Sequence, residues 1–548
     1  MPFVWDIAFV EIFEGDSGGF DIVIGNPPYV RQEMIVPPML DPRDFGGENS
    51  SRWKEQKKAY KEKLQRSVAA AWPRFFQYKP GSDTFRKPDG KSDLYIYFYF
   101  HALSLLNPQG SFCFITSNAW LDVGYGAELQ EFLLRHSHVK LILDNEVKRS
   151  FAQADVNTVI VLLAPPDDRR EDGLSKTARF VMFKKPFEEL ARAEVFKAIE
   201  AVTERQSTPD YRVTARPQRE LLEEGLESGT DEESPTPQKR KSHGPLIKTA
   251  RYIGNKWGGR YLRAPDIFFT ILEKGKGKLV RLGDIAEVRF GIKTGANEFF
   301  YLEPTGKPAP AGYLHVRNGA GWEGEIEEEF LKPVIKSPRE CRSILIKPEN
   351  LHYKIFMCHH DKSELQGTAA LEYIRWGEAQ GYHERPSCRG RQRWWEARLE
   401  VGNGVFVKEA NDSSGVFFNP IGLPVDCRLY VAQLSFEQLI YLNSAIACLL
   451  FEIFNRAGLG EGARSLMVSD YNAVPCLLTR GESSDFEKVF SSVYNKEPRK
   501  LLKPPDPEWR ALDEVVFDVL GLTAGEREAV YEAVVELVRA RLEKARSV

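Results

Sequence analysis

The sequence predicts the later half of a doubly wound, Rossmann-like α/β sheet in its first third, with at least one further domain behind a linker. Three observations carry this expectation. A short apolar run, Phe20-Asp21-Ile22-Val23-Ile24-Gly25, reads as a buried strand that stops at Asn26-Pro27-Pro28-Tyr29. Segments of helical and extended period then alternate from Ser92 to Leu163, the pattern of a sheet with helical crossovers. Finally, Gln218 to His243 is rich in Glu, Ser, Pro and Lys with hardly any large apolar side chain, the composition of a linker or disordered loop.

The loop after the first strand is where chemistry is expected, because ligands of open α/β sheets bind at the carboxyl ends of strands. Two consecutive prolines fix two φ angles and remove two backbone donors, leaving carbonyl oxygens free. The Asn26 amide oxygen and the Pro27 carbonyl are therefore expected to hold the two hydrogens of a planar amine. The Tyr29 ring offers a stacking surface for the aromatic system that carries it. Such acceptors also favour attack by the amine nitrogen on an electrophilic methyl group.

From Arg31 to Lys91, fourteen Lys or Arg face eight Asp or Glu, interleaved with Trp53, Tyr60, Trp72, Phe75, Phe76, Tyr78 and Phe85. This suits either a surface for phosphates and bases or a solvated helix with an aromatic packing face. Ser92 is the expected N-cap of a helix over Leu94 to Leu106, closed by Asn107-Pro108-Gln109-Gly110. A strand Ser111 to Thr116, a helix Gly126 to His136 and strands Val139 to Asp144 and Asn157 to Leu163 follow. Later, Leu434 to Asn455 and Glu508 to Arg541 read as helices.

With 548 residues the chain is expected to hold two to four domains, and 42% hydrophobic residues suffice for real cores. The longest apolar stretch, Leu439 to Phe454, is interrupted by Asn443 and Glu452, and Met1 to Val10 lacks the basic and apolar regions of a signal peptide. No membrane partner and a cytoplasmic location are the expectation. Seven cysteines at irregular spacing suit reduced thiols. Cys358-His359-His360-Asp361 has no second pair at ligand spacing, so no metal is expected. The net charge of −3 does not mark a nucleic-acid binder, but local charge does. Arg385, Arg389, Arg391, Arg393, Trp394, Trp395 and Arg398 form the densest basic-aromatic patch, opposed within it by Glu396 alone.

The strand running into Asn26-Pro27-Pro28-Tyr29, with the segments after it, resembles the amino-methyltransferases with an N-P-P-Y motif, and in particular the TaqI-like adenine methylases of type IIG restriction-modification systems. The resemblance implies transfer of a methyl group from S-adenosylmethionine to N6 of an adenine flipped out of double-stranded DNA. Asn26, Pro27, Pro28 and Tyr29 are then the catalytic loop. Phe151, in Phe151-Ala152-Gln153-Ala154-Asp155-Val156-Asn157-Thr158, matches a second aromatic against the extruded base. Residues 1–165 would be a partial methyltransferase domain ending in a strand hairpin, and 166–244 a helical connector and linker. Leu282 to Asn297 and Leu331 to Lys336 resemble the family's specificity domain, which implies a β-rich α+β target-recognition domain over 245–480, with Lys293, Thr294 and Asn297 facing DNA. A C-terminal helical segment, 481–548, would complete the chain. No glycine-rich strand-to-helix turn precedes Phe20, so the resemblance implies that the first three strands and main cofactor loops lie upstream of residue 1, or in a companion subunit. Alternatives are a DNA-binding specificity subunit without catalysis, or methylation of RNA or a protein glutamine.

Overall fold

The computed structural model describes residues 5–14, 18–147, 151, 156–227, 251–456, 462–478 and 484–546. Two compact units emerge, one formed by Met1–Ala264, Arg456–Gly462 and Leu542–Val548, the other by Pro265–Asn455 and Ala463–Arg541.

The first unit is built on a seven-stranded sheet whose strands are β1 (Phe20–Gly25), β2 (Leu106–Ser117), β3 (Val139–Asn145), β4 (Thr158–Leu163), β5 (Thr177–Phe183), β6 (Arg205–Ser207) and β7 (Tyr211–Pro217). Their order is β1-β2-β4-β3-β5-β7-β6. Strands β1 and β2 are parallel, β4 runs antiparallel between β2 and β3, and β3 and β5 are again parallel. The sheet thus continues beyond the β3–β4 hairpin at which the sequence suggested it ends near Pro165. The reason is that β3 keeps a free edge, and Thr177–Phe183, with Phe180 to Phe183 buried, pairs along it. Nor is Gln218–Glu224 linker: it is a short helix with Gln218, Leu221 and Leu222 buried. Residues 228–250, which hold the rest of the expected linker, lie outside the described residues.

One face of the sheet buries Phe112, Phe114, Ile142, Val159 and Val161 against the helices Leu94–Leu103 and Ala127–His136. The opposite face buries Leu141, Leu143, Val181, Phe183 and Val213 with Ile199 of the helix Ala193–Ala201. Strand β1, expected to be buried, is an edge strand. Val23 packs on the first cluster, but Ile22 and Ile24 on the other face are 69% and 76% exposed. The basic segment before Ser92 holds a 21-residue helix, Ser51–Ala71, capped by Ser50. Trp53, Trp72, Phe75 and Phe76 are all buried, so the aromatic residues of that segment are a packing face.

In the second unit a five-stranded antiparallel sheet takes the order Glu323–Glu327, Tyr313–Asn318, Tyr301–Pro304, Tyr353–Phe356, Leu331–Val334. A four-stranded sheet joins Phe417–Phe418, Gly404–Val407, Leu429–Ala432 and Arg289–Phe290. The apolar stretch expected as one helix is two, Phe436–Asn443 and Ala445–Phe454, bent by 68°. Ser444 ends the first by adopting ψ 165° and caps the second, its Oγ accepting the Ala447 N–H. Among the described residues no single helix is long and apolar enough to cross a membrane. The last helical run also divides, into Pro507–Leu520 and Ala524–Arg546, at Gly521, whose φ of +68° suits glycine.

Candidate active site

The Asn26–Tyr29 loop leaves the carboxyl end of β1, where Gly25 pairs with Phe114 of β2. Asn26 and Pro28 are exposed and Pro27 is buried. Among the described residues the Asn26 amide makes no hydrogen bond, and the Pro27 carbonyl accepts none. Among the described residues two acceptors on successive residues at a strand end are thus unengaged. Tyr29 is held below them: its hydroxyl donates to the Ile115 carbonyl of β2 at 3.3 Å, and burial pushes its pKa up to about 12, so it stays protonated. The Phe151 ring stands 6.4 Å from the Tyr29 ring at 54°. A base stacked on both rings needs about 3.5 Å on each face with parallel planes, so these rings must turn to receive one. Residues 152–155, which follow Phe151 in the matching stretch, lie outside the described residues.

The loop is clamped from behind by the start of the helix Leu94–Leu103. The Val30 carbonyl accepts the Leu94 N–H at 3.0 Å, and the Asp93 carboxylate accepts the Gln32 N–H at 2.9 Å. Asp93, not Ser92, is the N-cap, yet its side chain makes no capping bond to its own helix. Its second oxygen accepts the Tyr125 hydroxyl at 2.9 Å, and Tyr125 meets the Tyr95 hydroxyl at 2.9 Å. Burial first of all raises the Asp93 pKa, and its hydrogen bonds oppose that. Lys61 donates to the Gln32 side chain at 2.7 Å, and Lys57 to the Glu33 carbonyl at 2.7 Å. The role of Asp93 escapes the sequence because a helix-start aspartate reads as a local cap. Asp93→Ala is expected to strand the Gln32 and Tyr125 donors and cost about 1–3 kcal/mol in chemical denaturation. Asp93→Asn retains an acceptor for Gln32 and is expected to cost less; equal losses would show that hydrogen bonding is not what Asp93 contributes.

In the second unit the residues expected to face DNA fall into two groups. Lys293, Asn297 and Arg389 are exposed. The others are buried or half-buried and have partners inside the fold. Thr294 is 2% exposed and its hydroxyl donates to the Asn297 side chain. Arg391 donates to the carbonyls of Lys293 at 2.8 Å and Thr294 at 2.7 Å, tying the Gly291–Asn297 loop down. Arg385 pairs with Glu298 at 2.9 Å, and Arg393 with Glu396 at 2.8 Å and Asp361 at 3.1 Å. Trp394 and Trp395, each 7% exposed, belong to the hydrophobic core. The loop is specified by glycine: Gly295 has φ +79°, and a Cβ there would lie 2.6 Å from that of Ser387. His359, in the Cys-His-His-Asp sequence, sits against Glu396 at 2.8 Å.

These features can be set beside known proteins. Residues 1–151 match the Eco57I restriction-modification methylase family. The match spans the clamped Asn26–Tyr29 loop and ends at Phe151. The Type II methyltransferase M.PaeR7I of Pseudomonas aeruginosa is 28% identical over 128 residues, 23% of this chain and 16% of that protein. M.BstVI of Geobacillus stearothermophilus is 29% identical over 125 residues, again 23% and 16%. The match thus spans about a sixth of these curated relatives. The solved structure of the type IIG restriction endonuclease BpuSI aligns with 96% of this chain and 54% of its own, at 14% identity and a TM-score of 0.37. A type I methyltransferase subunit from Streptococcus thermophilus aligns with 38% of this chain and 37% of its own, at 13% identity and a TM-score of 0.23.

Proposed function

We propose that this chain carries the acceptor-binding loop and the target-recognition unit of a site-specific DNA methyltransferase that modifies adenine N6 within a restriction-modification or phage-defence system. The observation that carries the proposal is the pair of unengaged acceptors, the Asn26 amide and the Pro27 carbonyl, at the carboxyl end of β1 in the segment that matches the methylase family. Two acceptors hold an amine by both hydrogens and direct its lone pair outward. Tyr29 and Phe151 supply stacking for a base taken out of the duplex, a cost of a few kcal/mol that stacking and hydrogen bonding offset. S-adenosylmethionine would supply the electrophilic methyl. The N–CH3 bond forms as the S–CH3 bond breaks, and the amine then loses its proton to solvent, so no general base is needed.

The described residues fit the acceptor side of this reaction better than the cofactor side. Among the described residues no glycine-rich strand-to-helix turn adjoins β1, and β1 lies at the edge of the sheet, where its outer backbone groups suit pairing with a strand of a companion segment. The isolated chain is therefore expected to bind S-adenosylmethionine weakly in calorimetric titration; a dissociation constant in the low micromolar range would place the cofactor site within this chain.

The direct test is methyl transfer from labelled S-adenosylmethionine to duplex DNA, with the chain supplied with whatever segment completes the cofactor site, followed by separation of the nucleosides. N6-methyladenine is the expected product. Label in RNA or in protein glutamine would overturn the DNA assignment, and duplex binding with no transfer at all would favour a specificity subunit.

A further inference from the structure

The loop that carries Lys293 is joined to two other segments distant in sequence. The Ile292 N–H donates to the Val425 carbonyl at 2.7 Å, and the Cys427 N–H returns to the Ile292 carbonyl at 3.1 Å. The Ile335 N–H donates to the Pro424 carbonyl at 2.9 Å, and the Asp426 N–H to the Ile335 carbonyl at 2.9 Å. Bridges thus pair Ile292 with Asp426 and Ile335 with Val425, and beside these bridges in sequence lie three cationic residues, Lys293, Lys336 and Arg428. Gly291 makes the junction possible, since a Cβ there would lie 2.4 Å from the Val425 carbonyl oxygen. Arg428 links two of the segments directly, its Nη2 donating to the Lys336 carbonyl at 3.1 Å.

Arg385 of the 385–398 patch also stands over a ring, 4.5 Å from the centre of Tyr382, but what separates Lys293 and Lys336 from Arg385 and Arg393 is that they have no carboxylate partner among the described residues. Lys293 Nζ lies 4.5 Å from the centre of the Phe290 ring, and Lys336 Nζ lies 3.4 Å from that of Tyr353 and 5.0 Å from that of Tyr301. Neither ammonium has a carboxylate within ion-pair distance among the described residues. An aromatic face fixes a cation without neutralising it, whereas the carboxylates beside Arg385 and Arg393 cancel their charge. The acid at the centre, Asp426, is 1% exposed and occupied: it accepts the Tyr301 hydroxyl at 2.5 Å and Arg428 Nε at 3.0 Å. Glu303 and Glu340 also lie near Lys336, but Glu303 pairs with Arg317 at 3.0 Å and Glu340 accepts backbone N–H groups of Lys336 and Ser337. Among the described residues Lys293 and Lys336 therefore keep charges that no ion pair cancels, while Arg428 is balanced by Asp426.

We propose that Lys293 and Lys336, on segments tied together through Asp426 and Arg428, form a cradle for the phosphate backbone of double-stranded DNA. The proposal rests on the DNA-methyltransferase reading above and adds where the recognition unit grips its substrate. Burial first, and then the nearby Arg428, hold the Lys336 ammonium below the usual lysine range, and a bound phosphate would favour its charged form. Rings that already restrict the two lysines reduce the side-chain ordering that binding must still supply.

The test is the salt dependence of duplex binding by the full chain, followed by fluorescence anisotropy with a labelled duplex of about 30 base pairs between about 50 and 200 mM salt. Replacing Lys293→Gln and Lys336→Gln together is expected to reduce the slope of log K against log salt by about 1.8, roughly 0.9 for each phosphate no longer neutralised. The pair Lys293→Arg and Lys336→Arg is expected to keep the parental slope, which separates charge from folding. An unchanged slope in the Gln pair would overturn the cradle and leave the DNA reading standing. A slope reduced with heparin but not with duplex DNA would also overturn it, by assigning the junction to another polyanion. If the parental chain fails to bind duplex even at about 50 mM salt, the DNA reading itself falls.

Discussion

Asn26→Ala is expected to lower the rate of methyl transfer about a hundred- to a thousandfold, the usual consequence of removing one preorganised hydrogen-bonding group from a reacting centre. Duplex binding should persist, because the groups proposed to grip DNA belong to the second unit, beyond residue 264. Asn26 is exposed and bonded to nothing among the described residues, so its loss should leave stability nearly unchanged. Tyr29→Ala should differ, since it removes the ring facing Phe151 and the hydrogen bond to Ile115, weakening retention of the flipped base as well as the rate. Single-turnover methylation, read beside the fluorescence of 2-aminopurine at the target position, separates the two effects. Near-parental transfer by Asn26→Ala would mean that this loop does not hold the amine, and the methyltransferase proposal would go with it.

Trp394→Ala is expected to cost about 3–5 kcal/mol of stability in the second unit, the range for deleting a large core aromatic. The ring packs 4.7 Å from Phe299, its indole N–H donates to Glu378 at 2.9 Å, and it leaves no room for a Cβ on Gly377. Urea unfolding measures the loss. Arg389→Ala, a change at an exposed cation close by in sequence, should fall within about 0.5 kcal/mol of the parent. A Trp394→Ala chain of parental stability that binds DNA more weakly would instead make the indole a DNA contact.

Much of the first unit was legible in the sequence. The strand Phe20–Gly25, its stop at Asn26-Pro27-Pro28-Tyr29, and the order of helices and strands to Leu163 follow from apolar periodicity and proline chemistry, which act within a few residues. What was not legible is the fate of polar side chains and strand edges. Asp93 looked like part of a helix start, but its carboxylate serves the backbone of Gln32, 61 residues away. Nothing local in the sequence signals that Thr177–Phe183 extends the sheet along β3.

The sequence by itself determined the residues to which the chemistry is assigned in the proposal, an asparagine and two prolines at a strand end followed by a tyrosine. Tertiary structure alone decided which charges are spent inside the protein and which remain for a ligand. Arg391 and Lys293 are both basic residues among aromatics, indistinguishable by composition. One gives its donors to the Lys293 and Thr294 carbonyls, and the other rests on Phe290 with no hydrogen bond to its ammonium among the described residues. Periodicity records which way a side chain faces from its own element. The partner it finds there depends on segments such as 291–293, 335–336 and 425–428, brought together by backbone bridges that no local pattern encodes.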